Sequence, residues 1–418
     1  MLLKLLYSIG IHIVNSVLKP VSLFNDKIKL GVIGRKETFK ILESSISKTD
    51  RTIWMHCASL GEYEQGLPVL KALRSQCPNH KIIVSFFSPS GYEVKKNTKD
   101  VDVVVYLPFD TSTNANKFLN LVRPDLILFV KYEIWPNLLL EAKKRNIHTL
   151  LISATFRVNQ SYFNWYGSYM KKALFSFNHI FTQDEASKNI LIDNGYKSVS
   201  VSGDTRFDRV TEQLQDNNTI EFIDEFIDDK TTVVFGSTWP ADDELFVPFI
   251  NSNIGKAKYI IAPHNIKPNY IDSIENQLEG TVVRFSQMKG KKLSEYNIFI
   301  LDTIGYLSRV YSYADIAYVG GAAGQTGLHN ILEPAVFGIP IIIGKNYDKF
   351  PEAKTLINLG GIKSVTNTSE LGLNLKVLVE SKDLRLKLGA ISSEFISEHK
   401  GAVVQILDYI RTYTNLTK

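Results

Sequence analysis

The chain has 418 residues, 44% of them hydrophobic and 22% charged, a composition that fits two folded domains and excludes a disordered chain. Its formal net charge of +5 sits in residues 1–51, where nine basic residues (Lys4, Lys19, Lys27, Lys29, Arg35, Lys36, Lys40, Lys48 and Arg51) meet only four acidic ones; the rest is neutral, which excludes a nucleic-acid-binding surface. Cys57 and Cys77 stand alone without C-x-x-C spacing, so a disulfide framework and a zinc site are excluded and a reducing compartment is implied.

The first segment, MLLKLLYSIGIHIVNSVLK, is largely Leu, Ile and Val, with Lys4, Ser8, His12, Asn15 and Lys19 recurring every three or four residues. That spacing predicts a helix with one narrow polar stripe and a wide apolar face. It is barely long enough to cross hydrocarbon and carries a charge inside, so an interfacial or marginal anchor fits it better than a clean transmembrane helix. No small-x-small cleavage site follows, which argues against secretion. Lys27, Lys29, Arg35 and Lys36 are expected against anionic lipid of the cytoplasmic leaflet, at about 1 kcal/mol each. The alternative is an amphipathic helix docked on its own protein. Residues 1–51 are assigned to this anchor and basic segment.

From Thr52 the pattern alternates. Apolar runs at 53–58, 81–87, 101–107, 125–130, 148–154, 179–182 and 198–203 are separated by helix-length segments. Continuous Val- and Ile-rich runs belong to a parallel sheet covered on both faces, which predicts a doubly wound, Rossmann-like α/β domain over residues 52–210. After its first run comes His56-Cys57-Ala58-Ser59-Leu60-Gly61-Glu62, in which Ser59 and Glu62 have the spacing of a helix capping box. A carboxylate at a strand's carboxyl end can equally take a proton from a substrate hydroxyl. Both readings of Glu62 stay open. Glu133, just after the fourth run, is a candidate to position substrate, and Trp135 before Pro136 is expected to pack at the next helix start. Arg206 is placed to meet an anionic ligand or to pair with Asp208 on the surface.

An acidic stretch at 206–230 reads as the domain junction, with residues 211–230 as linker. A second alternation then begins, with runs at 231–237, 257–263, 281–285, 297–301, 315–321 and 340–344, predicting a second Rossmann-like domain over 231–418. Two such domains are expected to present a ligand cleft at the carboxyl ends of their strands. Ser237 and Thr238 end the first of these runs at an anion-facing turn or a simple N-cap, and Pro263 and His264 close the next. The glycines from Gly320 and Gly321 onward make a tight turn whose backbone N–H groups can cradle phosphate. Behind them, His329 to Glu333 offer polar side chains for ribose hydroxyls. No metal-ligand spacing is visible.

Taken together and in order, SLGE (59–62), EIWPN (133–137), GSTW with DDE (236–244), DTIGYL (302–307) and GG with HNILEPAVFGIPIIIG (320–344) resemble the Kdo transferase family over nearly the whole chain. The resemblance implies a GT-B architecture, monotopic at the cytoplasmic face of the inner membrane of Gram-negative bacteria. It implies transfer of 3-deoxy-D-manno-octulosonic acid (Kdo) from CMP-Kdo to a lipid A precursor with inversion, without metal or cofactor. In that pattern Glu62 matches the general base, while Glu133 and Arg206 match positions that steady the transition state. Pro263, His264, Ile304, Gly305, Tyr306, Asn330, Ile331, Leu332 and Glu333 match segments that hold CMP, and Ser237, Thr238, Gly320 and Gly321 the loops that receive the donor phosphate. The sequence departs from the commoner pattern at four positions: Arg206 for Lys, His264 for Arg, Lys131 for an acid and Trp239 for His. Competing readings are a GT-B transferase using a UDP-sugar and a non-catalytic sugar-nucleotide binding protein.

Overall fold

The computed structural model describes residues 2–414 and Leu416. The chain divides into two compact units, Met1–Arg209 with Lys400–Lys418, and Val210–His399. Each holds a seven-stranded sheet.

In the first unit the strands are β1 (Arg51–Cys57), β2 (His80–Phe86), β3 (Val103–Tyr106), β4 (Pro124–Val130), β5 (His148–Ala154), β6 (His179–Thr182) and β7 (Val199–Val201). They pair in parallel in the order β3-β2-β1-β4-β5-β6-β7. Because successive side chains point to opposite faces, each strand feeds two cores. Trp54, Ile83, Ile127, Phe129 and Leu151 pack on one face with Phe118 and Leu138. Ile53, Met55, Val84, Leu128 and Leu150 pack on the other with Tyr63, Leu67 and Leu70. Burial of both faces explains why the strands read as unbroken apolar runs.

In the second unit the strands are β8 (Thr232–Thr238), β9 (Lys258–Pro263), β10 (Val282–Arg284), β11 (Ile298–Ile300), β12 (Ile316–Val319), β13 (Ile341–Gly344) and β14 (Ile362–Val365). Their parallel order is β10-β11-β9-β8-β12-β13-β14. β14 has no counterpart among the expected strands. Its Lys363 and Ser364 interrupt a four-residue run that is too short and polar to stand out. Chain order reverses at β1/β4 in one sheet and at β8/β12 in the other, and crevices at such switch points are where open α/β sheets bind ligands.

Two expected boundaries are corrected. The C-terminal helix Ala402–Tyr413 belongs to the first unit, not to a domain running 231–418. Its stripe of Ile406, Leu407 and Ile410 completes the core beneath Tyr63 and Leu70, and Asp208 caps its start by accepting from Gly401 and Ala402 N–H. The expected linker 211–230 contains the helix Glu221–Ile227, whose Ile223 and Phe226 are buried in the second unit. Phe226 packs edge-on against Phe299 at 5.4 Å, and Glu225 accepts from Leu293 N–H.

The N-terminal helix Leu2–Val21 is partly docked and partly exposed, an arrangement compatible with both readings. Leu3, Tyr7, Ile11 and Leu18 are half-buried, and the Tyr7 hydroxyl donates to the buried Asp110 carboxylate at 2.9 Å. Burial lifts that carboxyl to about 6. Leu2, Leu5, Leu6, Ile9, Ile13, Val14 and Val17 are exposed, with Leu23 and Phe24 beyond them. The helix is therefore docked by one edge and apolar on the other. Arg35 does not join the exposed lysines. It donates to the carbonyls of Leu107, Gly31 and Phe87, and its guanidinium lies 4.4 Å from the Phe87 ring.

Phe226→Ala is expected to lower the stability of the second unit by about 3–5 kcal/mol in denaturant unfolding, the cost of a large buried aromatic. An unchanged transition would return 211–230 to the status of a linker.

Candidate active site

Glu62 occupies the first turn of the helix Leu60–Gln76, immediately after β1. It is buried, and its Oε2 accepts from the Ser59 N–H at 2.9 Å and from the Ser59 hydroxyl. The capping box is real. It uses one oxygen only, and Oε1 has no hydrogen-bond partner among the described residues. Capping and proton acceptance are thus compatible in one carboxylate.

Glu133 follows β4, the neighbour of β1 at the switch point. Its Oε2 accepts from Trp135 Nε1 at 2.9 Å and lies 3.4 Å from Nε2 of the fully buried His56. Its Oε1 likewise has no partner among the described residues. Both carboxylates act on the buried Cys57 thiol, which burial first and then Glu62 and Glu133 push up, so their charges converge on the end of β1. Trp135 packs at the helix start as expected, and its indole N–H also ties down Glu133.

Arg206 pairs with Asp204, not Asp208: its Nε donates to Asp204 Oδ2 at 2.8 Å. Asp204 is buried and also accepts from Gln65 Nε2, one turn along the helix that carries Glu62. Thr205 donates to the Gln65 carbonyl and meets Ser153 at 2.8 Å. These bonds carry the chain from edge strand β7 back beside the Glu62 helix. Lys131 (φ 72°) and Ser153 (φ 51°) hold left-handed backbone at the same sheet edge, a conformation costing about 1–3 kcal/mol that clusters at functional sites.

In the second unit the expected residues follow β8, β9, β11 and β12, four adjacent strands. His264 is exposed beyond β9 and stacks on Trp239 with centroids 4.7 Å apart; His329 lies 4.5 Å from His264 and also faces Trp239. Trp239 Nε1 donates to His329 Nε2 at 3.0 Å, and burial, then His264, holds His329 down to about 4, so His329 is a neutral acceptor. Ile304 and Gly305 form an exposed loop, with Tyr306 against Phe222 and Phe285. Asn330 Nδ2 donates to Glu333 Oε1 while its Oδ1 accepts from Leu332 N–H.

Several expected contacts are corrected by hydrogen bonding and burial. Gly320 N–H donates to the Gly236 carbonyl, and Gly321 N–H to Asp242 Oδ2, so neither amide is open to phosphate. Asp242, fully buried, also accepts from Trp239 N–H and the Tyr318 hydroxyl, filling with its own carboxylate the anion position that the turn and helix start would otherwise offer. The glycines are needed sterically. A Cβ at Gly320 would lie within 2.8 Å of the Ser237 carbonyl oxygen, Thr238 Cα and Asp242, and Gly321 has φ 95°. Thr238, Pro263, Ile331 and Leu332 are buried, leaving Ser237 (φ 55°) as the accessible polar residue of the donor loop. Among the described residues no group of three His, Cys, Asp or Glu can hold a metal ion.

Sequence reasoning missed His56, Asp204, Gln65 and Asp242. Only Asp242 left a local signal, three residues after Trp239 in a capping position.

Residues 34–209 match the family described as 3-deoxy-D-manno-octulosonic-acid transferase (kdotransferase). A 3-deoxy-D-manno-octulosonic acid transferase of Haemophilus influenzae is 27% identical over 376 residues, covering 86% of this chain and 87% of that protein. One from Aquifex aeolicus is 28% identical over 348 residues, covering 81% and 89%. Among solved structures, UDP-GlcNAc 2-epimerase from Neisseria meningitidis bound to UDP-GlcNAc superposes with a TM-score of 0.62 at 17% identity, covering 87% of this chain and all of that one. That likeness is one of fold.

Asp243, beside Asp242, is buried and bonded to the Tyr270 hydroxyl; burial, with the Asp242 charge adding, pushes its carboxyl up to about 7. A value raised above the unfolded one favours the folded state in acid and is lost as pH rises through about 7. Urea unfolding across that range is expected to show the second unit weakening toward alkaline pH, and Asp243→Asn flattening the slope. Parallel slopes would contradict the buried neutral carboxyl.

Proposed function

We propose that this chain, which belongs to the Kdo transferase family, moves Kdo from CMP-Kdo to a lipid A precursor with inversion, at the cytoplasmic face of the inner membrane. The observation that carries the reading is the division of labour within Glu62. One oxygen caps a helix and the other stays open at the switch point of the first sheet.

In the proposed reaction an acceptor hydroxyl oxygen attacks the anomeric carbon of Kdo, its proton passes to Glu62 Oε1, and the bond from that carbon to the CMP phosphate oxygen breaks. Attack opposite the leaving group inverts the centre. Glu133, held through one oxygen, orients the reactants with the other, and Arg206, fixed on Asp204, supplies positive charge near the developing anion. CMP is assigned to the second unit. Asn330 and Glu333 take ribose hydroxyls, the Ile304-Gly305-Tyr306 loop borders the base, and His264 with Ser237 meets the phosphate. No metal or cofactor is assigned a role.

The lipid acceptor gives the N-terminal helix its purpose. Its exposed apolar face enters one leaflet, while Lys27, Lys29 and Lys36 remain exposed for anionic head groups. Confining the enzyme to the acceptor's surface raises the effective concentration of both.

Glu62→Gln is expected to lower transfer by ~10²–10⁴-fold, the contribution of a positioned base. An amide oxygen can keep the two Ser59 bonds, so thermal stability and CMP binding should hardly change. Normal turnover with a loss of about 1 kcal/mol in stability would leave Glu62 as a cap alone.

Leu6→Asp combined with Ile13→Asp should abolish sedimentation with anionic phospholipid vesicles while sparing activity on a detergent-dispersed acceptor. These side chains face outward, so the Tyr7 contact with Asp110 survives, which deletion of the helix would destroy. Retained vesicle binding would refute the anchor.

A further inference from the structure

We propose that the turn after β5, residues 157–167, is a second membrane contact of the first unit, seated on the same anionic leaflet as the N-terminal helix. The inference deepens the anchor reading given above and rests on it for the identity of the surface.

The turn carries apolar side chains outward. Trp165 is 90% exposed, Val158 76% and Tyr166 51%. Beneath them Tyr162 and Phe163 pack on Phe156, with ring centroids 6.2 and 6.1 Å away, and Tyr162 is buried. Gly167 closes the turn with no room for a Cβ against the Ser161 carbonyl oxygen, and Asn164 Nδ2 donates to the Tyr166 hydroxyl at 3.1 Å. A closed turn on an aromatic base thus holds an indole away from the protein, although a covered Trp removes roughly 150–250 Å² from water. Rings with an apolar body and a polar tip, displayed in this way, are what a membrane–water interface takes up.

Two observations name the leaflet as the cover. The first is continuity: Trp165 precedes Tyr169 by about one helical turn, and the Tyr169 ring lies 5.6 Å from that of Tyr7 on the N-terminal helix, whose outer face is exposed Leu, Ile and Val. The second is charge. From Thr155 to Gln183 there is no acidic residue, while Arg157, Lys171 and Lys172 are basic; from Met1 to Asn25 there is again none, with Lys4 and Lys19 basic. Two acid-free stretches, distant in sequence, therefore meet at Tyr7 and Tyr169 in one apolar and cationic patch, which attracts anionic head groups. A helix lying alone in a leaflet leaves the protein free to roll about the helix axis. A second contact beside it removes that freedom. The turn also borders the carboxylates: the Tyr132 hydroxyl is pushed up by burial, then by Glu62 and Glu133, and Arg157 opposes them, so all three charges surround one side chain. With both contacts seated, the carboxyl edge of the first sheet is held over the head groups, where the sugar of a lipid acceptor lies.

Tryptophan fluorescence of the full-length protein on vesicles of phosphatidylglycerol and phosphatidylcholine with brominated acyl chains reads the contact without any substrate. Trp54 is buried and Trp135 and Trp239 are half-buried, so Trp165 is the indole within reach of lipid. Emission is expected to shift to the blue and be quenched by the bromines, and Trp165→Phe should remove most of the quenching while binding persists. Trp165→Ser with Tyr166→Ser, both outward-facing and so compatible with the fold, should weaken vesicle binding roughly 10-fold with an unchanged melting curve. An unquenched Trp165 in protein that sediments with the vesicles, or undiminished affinity of the double variant, would overturn the second contact and leave the helix as the anchor. Quenching of Trp165 together with retained binding by Leu6→Asp/Ile13→Asp would support this contact and overturn the helix anchor instead. A wild type that binds no vesicles overturns both. A dimer mass in ultracentrifugation that Trp165→Ser dissolves would make the face a protein interface and overturn the proposal.

Discussion

Both acidic side chains at the carboxyl edge of the first sheet are tethered through a single oxygen. Ser59 supplies both donors to Glu62, and Trp135 with His56 flanks the same oxygen of Glu133. A carboxylate bonded through both oxygens would be rigid but chemically occupied, and one bonded through neither would be free but disordered. Single-oxygen tethering gives a fixed group with an open acceptor, which is what proton abstraction and substrate orientation each require. The sheet topology serves this arrangement, since β1 and β4 are the adjacent strands where chain order reverses.

The second unit uses a carboxylate in the opposite sense. Asp242 is wholly committed, accepting from Trp239 and Gly321 N–H and from Tyr318, and so binds the end of β8 to the glycine loop after β12. The loop is therefore built around an internal anion, and an incoming phosphate must look elsewhere. The ring stack of His264, Trp239 and His329 stands beside it. Trp239 and His264, two residues expected to differ from the commoner pattern of the family that the sequence resembles, stack on each other in this chain.

Legibility in the sequence followed the range of the interactions concerned. The long strands announced themselves because both faces are buried, and the capping box of Glu62 because its partners are three residues apart. Which oxygen the cap uses cannot be read from spacing, so the sequence alone leaves both readings of Glu62 open. The glycine loop misled for a related reason: its amides look free locally, but their acceptors, Gly236 and Asp242, lie about eighty residues upstream. His56 could be named in the sequence but given no task, because Ser85 and Glu133 reach it from neighbouring strands. The stretch 211–230 was misjudged on acidic composition, although Ile220, Ile223 and Phe226 mark a helix face. The C-terminal helix was assigned by adjacency in sequence, while its apolar stripe is shaped for the sheet at the other end of the chain.

The central claim, that Kdo passes from CMP-Kdo to a lipid acceptor, is tested most directly by incubating the full-length protein with CMP-Kdo and a lipid A precursor and weighing the lipid by mass spectrometry. The account predicts a lipid heavier by one or more Kdo residues, with CMP released in step. An unchanged lipid with CMP-Kdo, alongside modification of the acceptor when a UDP-sugar is supplied instead, would contradict it.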